Sequence, residues 1–287
     1  MGQVAANAVI AAATYALVAV GFSLVYRTQR FFYVAHGGVL AVSAFAFWAV
    51  STRLQSLFLG ALASLVVGGA CAAANERLVH RPLRARARSG LSLFLASTGA
   101  YYMIENGLLL GFGPDVRTIA IHHQPVYTLG DAHLTLANIT GICISILSCG
   151  GLYCLLKWTR FGQEIRAVAD NERLAAVYGI NVAGTHTRAL MISGVLASLA
   201  AVVLALNTNL RFNMGMPPLL KGIAASMLGG VGNIPAAVGG AVVIGAVEHI
   251  AAWTLPTGYK DVVCFGILVL VICLRPRGIA GMVIRRA

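Results

Sequence analysis

Long apolar runs alternate with short polar connections along almost the whole chain. They lie at about 4–26, 34–50, 54–74, 91–112, 134–156, 189–206, 219–231, 236–255 and 261–274. Most have the length that a helix needs to cross a hydrocarbon core of roughly 30 Å, and 219–231 is too short unless it is tilted or broken. Within lipid each backbone polar group must be satisfied inside its own segment, which makes such runs helices. The pattern predicts an all-α integral membrane protein, a polytopic bundle of about eight or nine transmembrane segments including short or broken helices. One transmembrane domain accounts for 1–287. The first run lacks a preceding basic region, exceeds the apolar length of a signal peptide and is followed by Arg27 and Arg30, so it reads as a retained span.

One connection breaks the pattern. Between the fifth and sixth runs, 157–188 is a charged stretch with helical spacing. Ile165, Val168 and Ala169 fall at i, i+3 and i+4, and Leu174, Val177 and Tyr178 repeat that spacing after the polar break Asp170-Asn171-Glu172. Asp170 is suited to cap a second short helix, and Gly179 to end it in a left-handed conformation. Two short amphipathic helices follow. They rest either on lipid headgroups or in the groove of a partner protein; Glu164, Asp170 and Glu172 would be repelled by anionic lipid, which favours the groove.

Composition and charge then fix the setting. The chain of 287 residues is 59% hydrophobic and 10% charged, with mean hydropathy +0.82, whereas soluble domains carry about 25% charged residues. The net charge of +12 comes from short basic clusters between apolar runs. No continuous basic face with interleaved aromatics exists, which excludes nucleic acid as the partner. With the N-terminus outside and every run crossing, only Arg53, Arg117, Arg211, Lys221 and Lys260 of the 21 basic residues leave the cytoplasmic side. That asymmetry places 157–188 and the C-terminus in the cytoplasm. The longest external connection, about 113–133, contains Pro114, Asp115, Arg117, His122, His123, Pro125 and Asp131 and suits a small cap or a partner-facing surface.

The candidate chemistry is sparse. The six cysteines lie in or beside apolar runs without a CxxC pair, so they read as small buried hydrophobes and no metal is expected. The spacing Gly107-Leu-Leu-Leu-Gly111 suits close helix packing. Gly229-Gly230-Val231-Gly232-Asn233-Ile234-Pro235 breaks a helix at membrane depth, which is tolerated only where protein or a water-filled cavity surrounds the freed backbone. Its Gly230-x-Gly232 is not a dinucleotide fingerprint, and no GxxxxGK[ST] occurs, so the chain has no P-loop of its own. Polar groups inside spans are costly and therefore functional candidates: His36 beside Gly37 and Gly38, Glu105-Asn106, and Glu248-His249. Each is either paired within the bundle or lines a polar path. Asn207, Asn209, Arg211 and Asn213 read first as caps on the outer end of the sixth span.

Several separated motifs, in consistent order over roughly 13–281, carry a resemblance. They are Ala35-His36-Gly37, Arg81-Pro82-Leu83-Arg84, the stretch 162–181 ending Tyr178-Gly179-Ile180-Asn181, and Lys221-Gly222. They continue with Leu228 to Pro235, Tyr259-Lys260-Asp261-Val262-Val263 and Arg275-Pro276-Arg277-Gly278. The chain resembles the permease subunits of the branched-chain amino acid family of bacterial ABC importers, the LivH type. The resemblance implies a non-catalytic permease in the bacterial inner membrane, paired with a second, LivM-like permease, two cytoplasmic ATPases that bind ATP and Mg, and a periplasmic solute-binding protein. It binds no cofactor of its own.

The resemblance also implies that Ile165, Arg166, Val168, Asp170, Asn171, Leu174, Ala175, Tyr178, Gly179, Ile180 and Asn181 form the coupling region seated in the ATPase. The pathway residues expected with it are His36, Gly37, Glu105, Asn106, Gly230, Gly232, Asn233, Glu248 and His249. Two departures stand out. The family commonly has Asn-Phe-Ala-His-Gly and then an acidic residue, where this chain has Tyr33-Val34-Ala35-His36-Gly37-Gly38, and His249 is an unusual imidazole. Branched-chain specificity is therefore not assumed. The competing reading is an ion-coupled secondary transporter using Glu105, Glu248 and His249. A membrane enzyme lacks any HExxH or nucleophile and base pattern.

Overall fold

The computed structural model describes residues 1–86, 89–119, 126–129, 132–254, 260–274 and 278. Every apolar run becomes a helix: α1 Gly2–Gln29, α2 Ala35–Leu54, α3 Leu57–Asn75, α5 Gly90–Phe112, α6 Leu136–Trp158, α9 Val182–Asn207, α10 Met216–Gly229, α11 Ile234–Thr254 and α12 Lys260–Leu274. Short elements fill the polar connections: a π-helical turn Glu76–His80, α4 Arg81–Arg86, α7 Arg160–Asp170 and α8 Glu172–Val177. The chain is a multi-pass membrane protein. Six helices among the described residues are long and apolar enough to cross a membrane, fewer than the segment count expected from the sequence. α5 has the length, but Tyr101-Tyr102 and Glu105-Asn106 dilute its hydropathy. α10 has 14 residues, roughly 21 Å of helix, well short of a full hydrocarbon core.

The fold is not purely helical. β1 Val126–Leu129 and β2 Ala132–Thr135 pair antiparallel, Val126 opposite Thr135, in the connection between α5 and α6. Leu134, expected to open the fifth span, is thus a strand residue, and α6 starts at Leu136 behind the cap Thr135, whose Oγ1 accepts from the Asn138 amide at 3.3 Å. His122, His123, Pro125 and Asp131 of this connection lie outside the described residues, as do Arg88, Tyr259, Arg275, Pro276, Arg277, Arg285 and Arg286.

Two halves repeat one arrangement in opposite directions. After α1 the chain turns back through 30–34 and starts α2, which runs beside α9; after α9 it turns back through 208–215 and starts α10, which runs beside α1. Ser43 and Ser198 bind at 2.9 Å across the first pair, and Ser23 and Ser226 at 2.6 Å across the second. α3 then packs against α9, with Gly68 facing Gly194 and Ser198, and α11 against α1, with Gly245 facing Ala8 and Ala12. Backbones approach this closely only through small residues, since lipid and helix faces are equally apolar. The starts of α2 and α10 meet at Gly37 and Gly215; a Cβ on Gly37 would lie 3.0 Å from the Gly215 carbonyl oxygen.

Gly215→Leu must therefore push α2 and α10 apart. Overpacking of about 1–3 kcal/mol is expected, measured as a lower melting temperature of the purified chain in detergent. Gly107→Leu is the contrast, because a Cβ at Gly107 or Gly111 would meet no neighbouring element within 4 Å among the described residues. The GxxxG face expected to suit close helix packing is turned outward from this bundle. α5 packs mainly on α2, and its glycine face has no neighbour among the described residues.

Candidate functional site

A cavity of about 930 Å³ lies where the second turned-back segment meets the N-terminal half of α1. α1 contributes Asn7, Thr14 and Tyr15, α5 contributes Tyr101, Tyr102 and Glu105, and α11 contributes Glu248 and His249. The connection between α9 and α10 lines it with Asn209, Arg211 and Asn213, below Asn207 at the end of α9. The four residues expected to cap the sixth span thus line the cavity. Thr208 is the C-cap residue of α9, and the connection is held by a bridge in which the Arg117 amide donates to the Leu210 carbonyl at 3.0 Å and the Leu210 amide donates back at 2.8 Å.

An ion pair lies on the cavity wall near the midpoint of α1. Lys221 of α10 donates from Nζ to Glu248 Oε1 at 2.6 Å, and their side chains are 9% and 6% exposed. Tyr15 donates its hydroxyl to Glu248 Oε2 at 2.6 Å and lies 3.3 Å from Lys221 Nζ, which stands 5.5 Å above its ring centroid. Two buried charges survive such a setting only in good mutual geometry with further hydrogen bonds. Below them α10 is sealed against α1, where a Cβ on Gly222 would come within 2.9 Å of Val18 Cβ.

The expected pathway residues divide. Glu105, Glu248 and His249 share the cavity. Asn106 faces outward on α5 and donates to the Tyr102 carbonyl at 2.8 Å. His36 is fully buried, 3.1 Å from Ser193 Oγ through Nδ1, with its ring in the notch left by Gly21, so it packs α1, α2 and α9 together rather than lining the cavity. Gly37 serves the contact with Gly215. Gly230 and Gly232 take φ of 126° and 85°, values that favour glycine, and Asn233 Oδ1 accepts the Ala236 amide at 3.4 Å at the start of α11. This turn lies beside Arg27 in the last turn of α1, at the basic end of the bundle rather than at its middle. Tyr15, Tyr101 and Lys221 were missed as cavity residues.

At that basic end the insert folds as two helices, but its faces differ. α7 buries Ile165, Val168 and Ala169 in this chain's own bundle, Ile165 completely. Arg166 donates to the Leu156 carbonyl, and Arg30 donates to the Ala169 carbonyl at 2.7 Å. The first set of apolar anchors thus has an occupant within the chain and is not free for a partner groove. α8 is different: Leu174, Val177 and Tyr178 are 55%, 81% and 83% exposed, while Ala175 is buried. Its cap is Asn171, not Asp170; Asn171 Oδ1 accepts the amides of Arg173 at 3.0 Å and Leu174 at 3.1 Å. Gly179 closes it at φ 84°, with the Gly179 amide on Ala176 and the Ile180 amide on Ala175, a Schellman ending. Asn181 then caps α9 by accepting the Gly184 amide at 2.9 Å.

A second buried polar group joins this end to the rest of the bundle. Arg84 donates to Glu76 Oε1 and to His186 Nδ1, linking the π-helical turn and α4 to the first turns of α9. Glu76 is completely buried and His186 nearly so. Single π-turns inside helices are frequent at functional sites. The sequence motif Arg81-Pro82-Leu83-Arg84 marked this place without revealing its partners.

A family model described as branched-chain amino acid transport system / permease component matches residues 4–272. The high-affinity branched-chain amino acid transport system permease protein BraD of Pseudomonas aeruginosa is 28% identical over 290 residues, 96% of this chain and 94% of that protein. The corresponding LivH of Escherichia coli K12 is 27% identical over 294 residues, again covering 96% and 94%. The xylose transport system permease protein XylH of the same organism is 29% identical over 143 residues, 46% of this chain and 35% of that one.

Proposed function

This chain belongs to the family of branched-chain amino acid transport permeases, and we propose that it is the permease subunit of an ATP-driven importer that moves a small polar solute, branched-chain or other amino acids, into the cytoplasm. It acts from the bacterial inner membrane with its C-terminus in the cytoplasm. A solute-binding protein delivers cargo to the polar cavity, and two ATPase subunits, which hold ATP and Mg, engage the opposite end. The observation that carries this reading is one chain with a polar cavity at one end and an exposed apolar α8 at the other, joined by continuous helices. α8 presents Leu174, Val177 and Tyr178 as a small helical plug, the form in which a helix enters a protein groove.

A second, LivM-like permease completes the pathway. α5 turns Gly99, Tyr102, Met103, Asn106, Gly107 and Gly111 outward, and a polar Asn among glycines on an apolar helix suits a neighbouring helix better than lipid. Transport then proceeds by alternating access. ATP binding draws the α8 ends of the two permeases together, and the cavity exchanges one exposure for the other, each state being favoured by what it binds.

The test is uptake into liposomes holding the chain with its co-purifying permease and ATPase subunits, the binding protein outside and ATP inside. Radiolabelled leucine, isoleucine, valine and a panel of other amino acids, amides and carboxylates are offered in turn. Uptake that depends on internal ATP is expected. Uptake by the isolated chain, driven by an ion gradient and indifferent to ATP, would overturn the reading.

A further inference from the structure

The helix that runs from Leu57 through the π-helical turn to Arg86 has 30 residues, about 45 Å of length against a hydrocarbon core of roughly 30 Å. With Leu57 at one membrane surface, the surplus is the stretch 77–86, which lies at headgroup level at the other. The rotation of this stretch is fixed from inside. Glu76 and His80 are fully buried, and Arg84 reaches inward to Glu76 and His186. Arg77, Leu78, Arg81, Pro82 and Arg86 are therefore turned outward and exposed, Leu78 by 76%. Among the described residues none of the three outward arginines makes an ion pair, and Glu76, which feels the charge of Arg81, is already held by Arg84.

The outward face continues along α3 as an apolar strip. Phe58, Leu62, Val66, Ala70 and Ala74 recur at every fourth position and are all exposed, while α3 packs mainly on α2 and α9. Ala70 and Ala74 leave a shallow notch between the larger side chains of Val66 and Leu78. We propose that this face is a docking site for an anionic phospholipid, with its phosphate between Arg77 and Arg81, Arg86 beyond it, and an acyl chain over Leu78, Ala74 and Ala70. Charge decides the occupant. A zwitterionic headgroup would bring a cation of its own to three arginines, and a soluble anion would make no use of the apolar strip beside them. Arg77 and Arg81 stand about one helical turn apart, and each guanidinium offers a planar fork of donors to phosphate oxygens. Basic clusters next to a spanning helix attract anionic headgroups in general; the inward grip of Arg84 makes this one a fixed site. A lipid bound outside would clamp the same short helix that Arg84 ties to the first turns of α9. The site stands whatever solute the permease carries.

Native mass spectrometry of the purified full chain, titrated with phosphatidylglycerol or phosphatidylcholine, tests the assignment. Phosphatidylglycerol should bind at least about tenfold more tightly. Arg77→Gln with Arg81→Gln and Arg86→Gln should remove that preference and leave the melting temperature in phosphatidylcholine unchanged, since all three side chains are exposed. Removing three charges from the insert instead, Lys157→Gln with Arg160→Gln and Arg173→Gln, should leave the preference in place. Ala70→Phe with Ala74→Phe fills the notch without touching a charge and should weaken phosphatidylglycerol binding severalfold. Inorganic phosphate should not displace the lipid. Absence of a preference in the wild-type chain, its survival in the triple arginine variant, or its equal loss in the insert variant would each overturn the proposal. So would undiminished binding by the Ala70→Phe, Ala74→Phe chain, or displacement by inorganic phosphate.

Discussion

Leu174→Asp or Tyr178→Asp should abolish ATP-dependent uptake while leaving the permease folded, inserted and near its normal melting temperature. Both side chains stand mostly in solvent on α8 and its end, so a carboxylate there costs the isolated chain almost nothing. In an ATPase groove it would be desolvated against an apolar wall, a penalty of several kcal/mol at a small contact and enough to lower coupling by two orders of magnitude or more. Pull-down of the ATPase subunits and substrate-stimulated ATP hydrolysis check it. Both should fall sharply, and normal stimulation would remove α8 from the coupling role.

Ile165→Asp, nine residues earlier in the same insert, should fail for the opposite reason. Ile165 is completely buried beneath α7 and joins the main core. The change removes its packing and leaves a carboxylate without a partner, a loss of at least about 3 kcal/mol. Reduced expression, a lower melting temperature and proteolysis between α6 and α9 are expected before any measurement of transport. A variant of normal stability with lost coupling would mean that Ile165 faces a partner after all. The contrast between the two positions separates the helix that fastens the insert to the bundle from the helix that presents it.

That distinction also shows what was legible without coordinates. The spans were readable because lipid demands continuous apolar helices, and the shortness of α10 was visible from its length alone. The insert's two helices were readable from their spacing, but an amphipathic pattern reports that a face is covered, not by what. Ile165 and Val168 are covered by this chain, while Leu174, Val177 and Tyr178 are left open. The helix cap shifted from Asp170 to Asn171 for a similar reason, since both residues accept amide hydrogens and only the backbone path decides between them.

The cavity was the least legible part. Glu248 could be singled out because a carboxylate within a span is costly, yet its partners Lys221 and Tyr15 are 27 and 233 positions away. Lys221 is brought to it by the turned-back segment before α10, and Tyr15 by the packing of α1 against α11. That segment carries Asn209, Arg211 and Asn213 into the bundle, where a sequence pattern shows only a polar connection after a helix end. Conversely, His36 had the look of a pathway residue, but the missing side chain at Gly21 makes a slot for its ring and buries it. The outward glycines of α5 carry the same lesson: GxxxG announces a close contact without saying whether the neighbour belongs to the chain.

The central claim is that motion enters at α8 and reshapes the cavity at the far end. It is tested most directly by an Asn213→Cys probe in the assembled complex, labelled with a membrane-impermeant maleimide against the background of the native cysteines. Trapping the ATPase subunits with a non-hydrolysable ATP analogue should change the labelling rate severalfold, and the same trap should have no effect when Leu174→Asp is present. An unchanged rate in the otherwise wild-type complex, or an equal response with Leu174→Asp, would contradict the account.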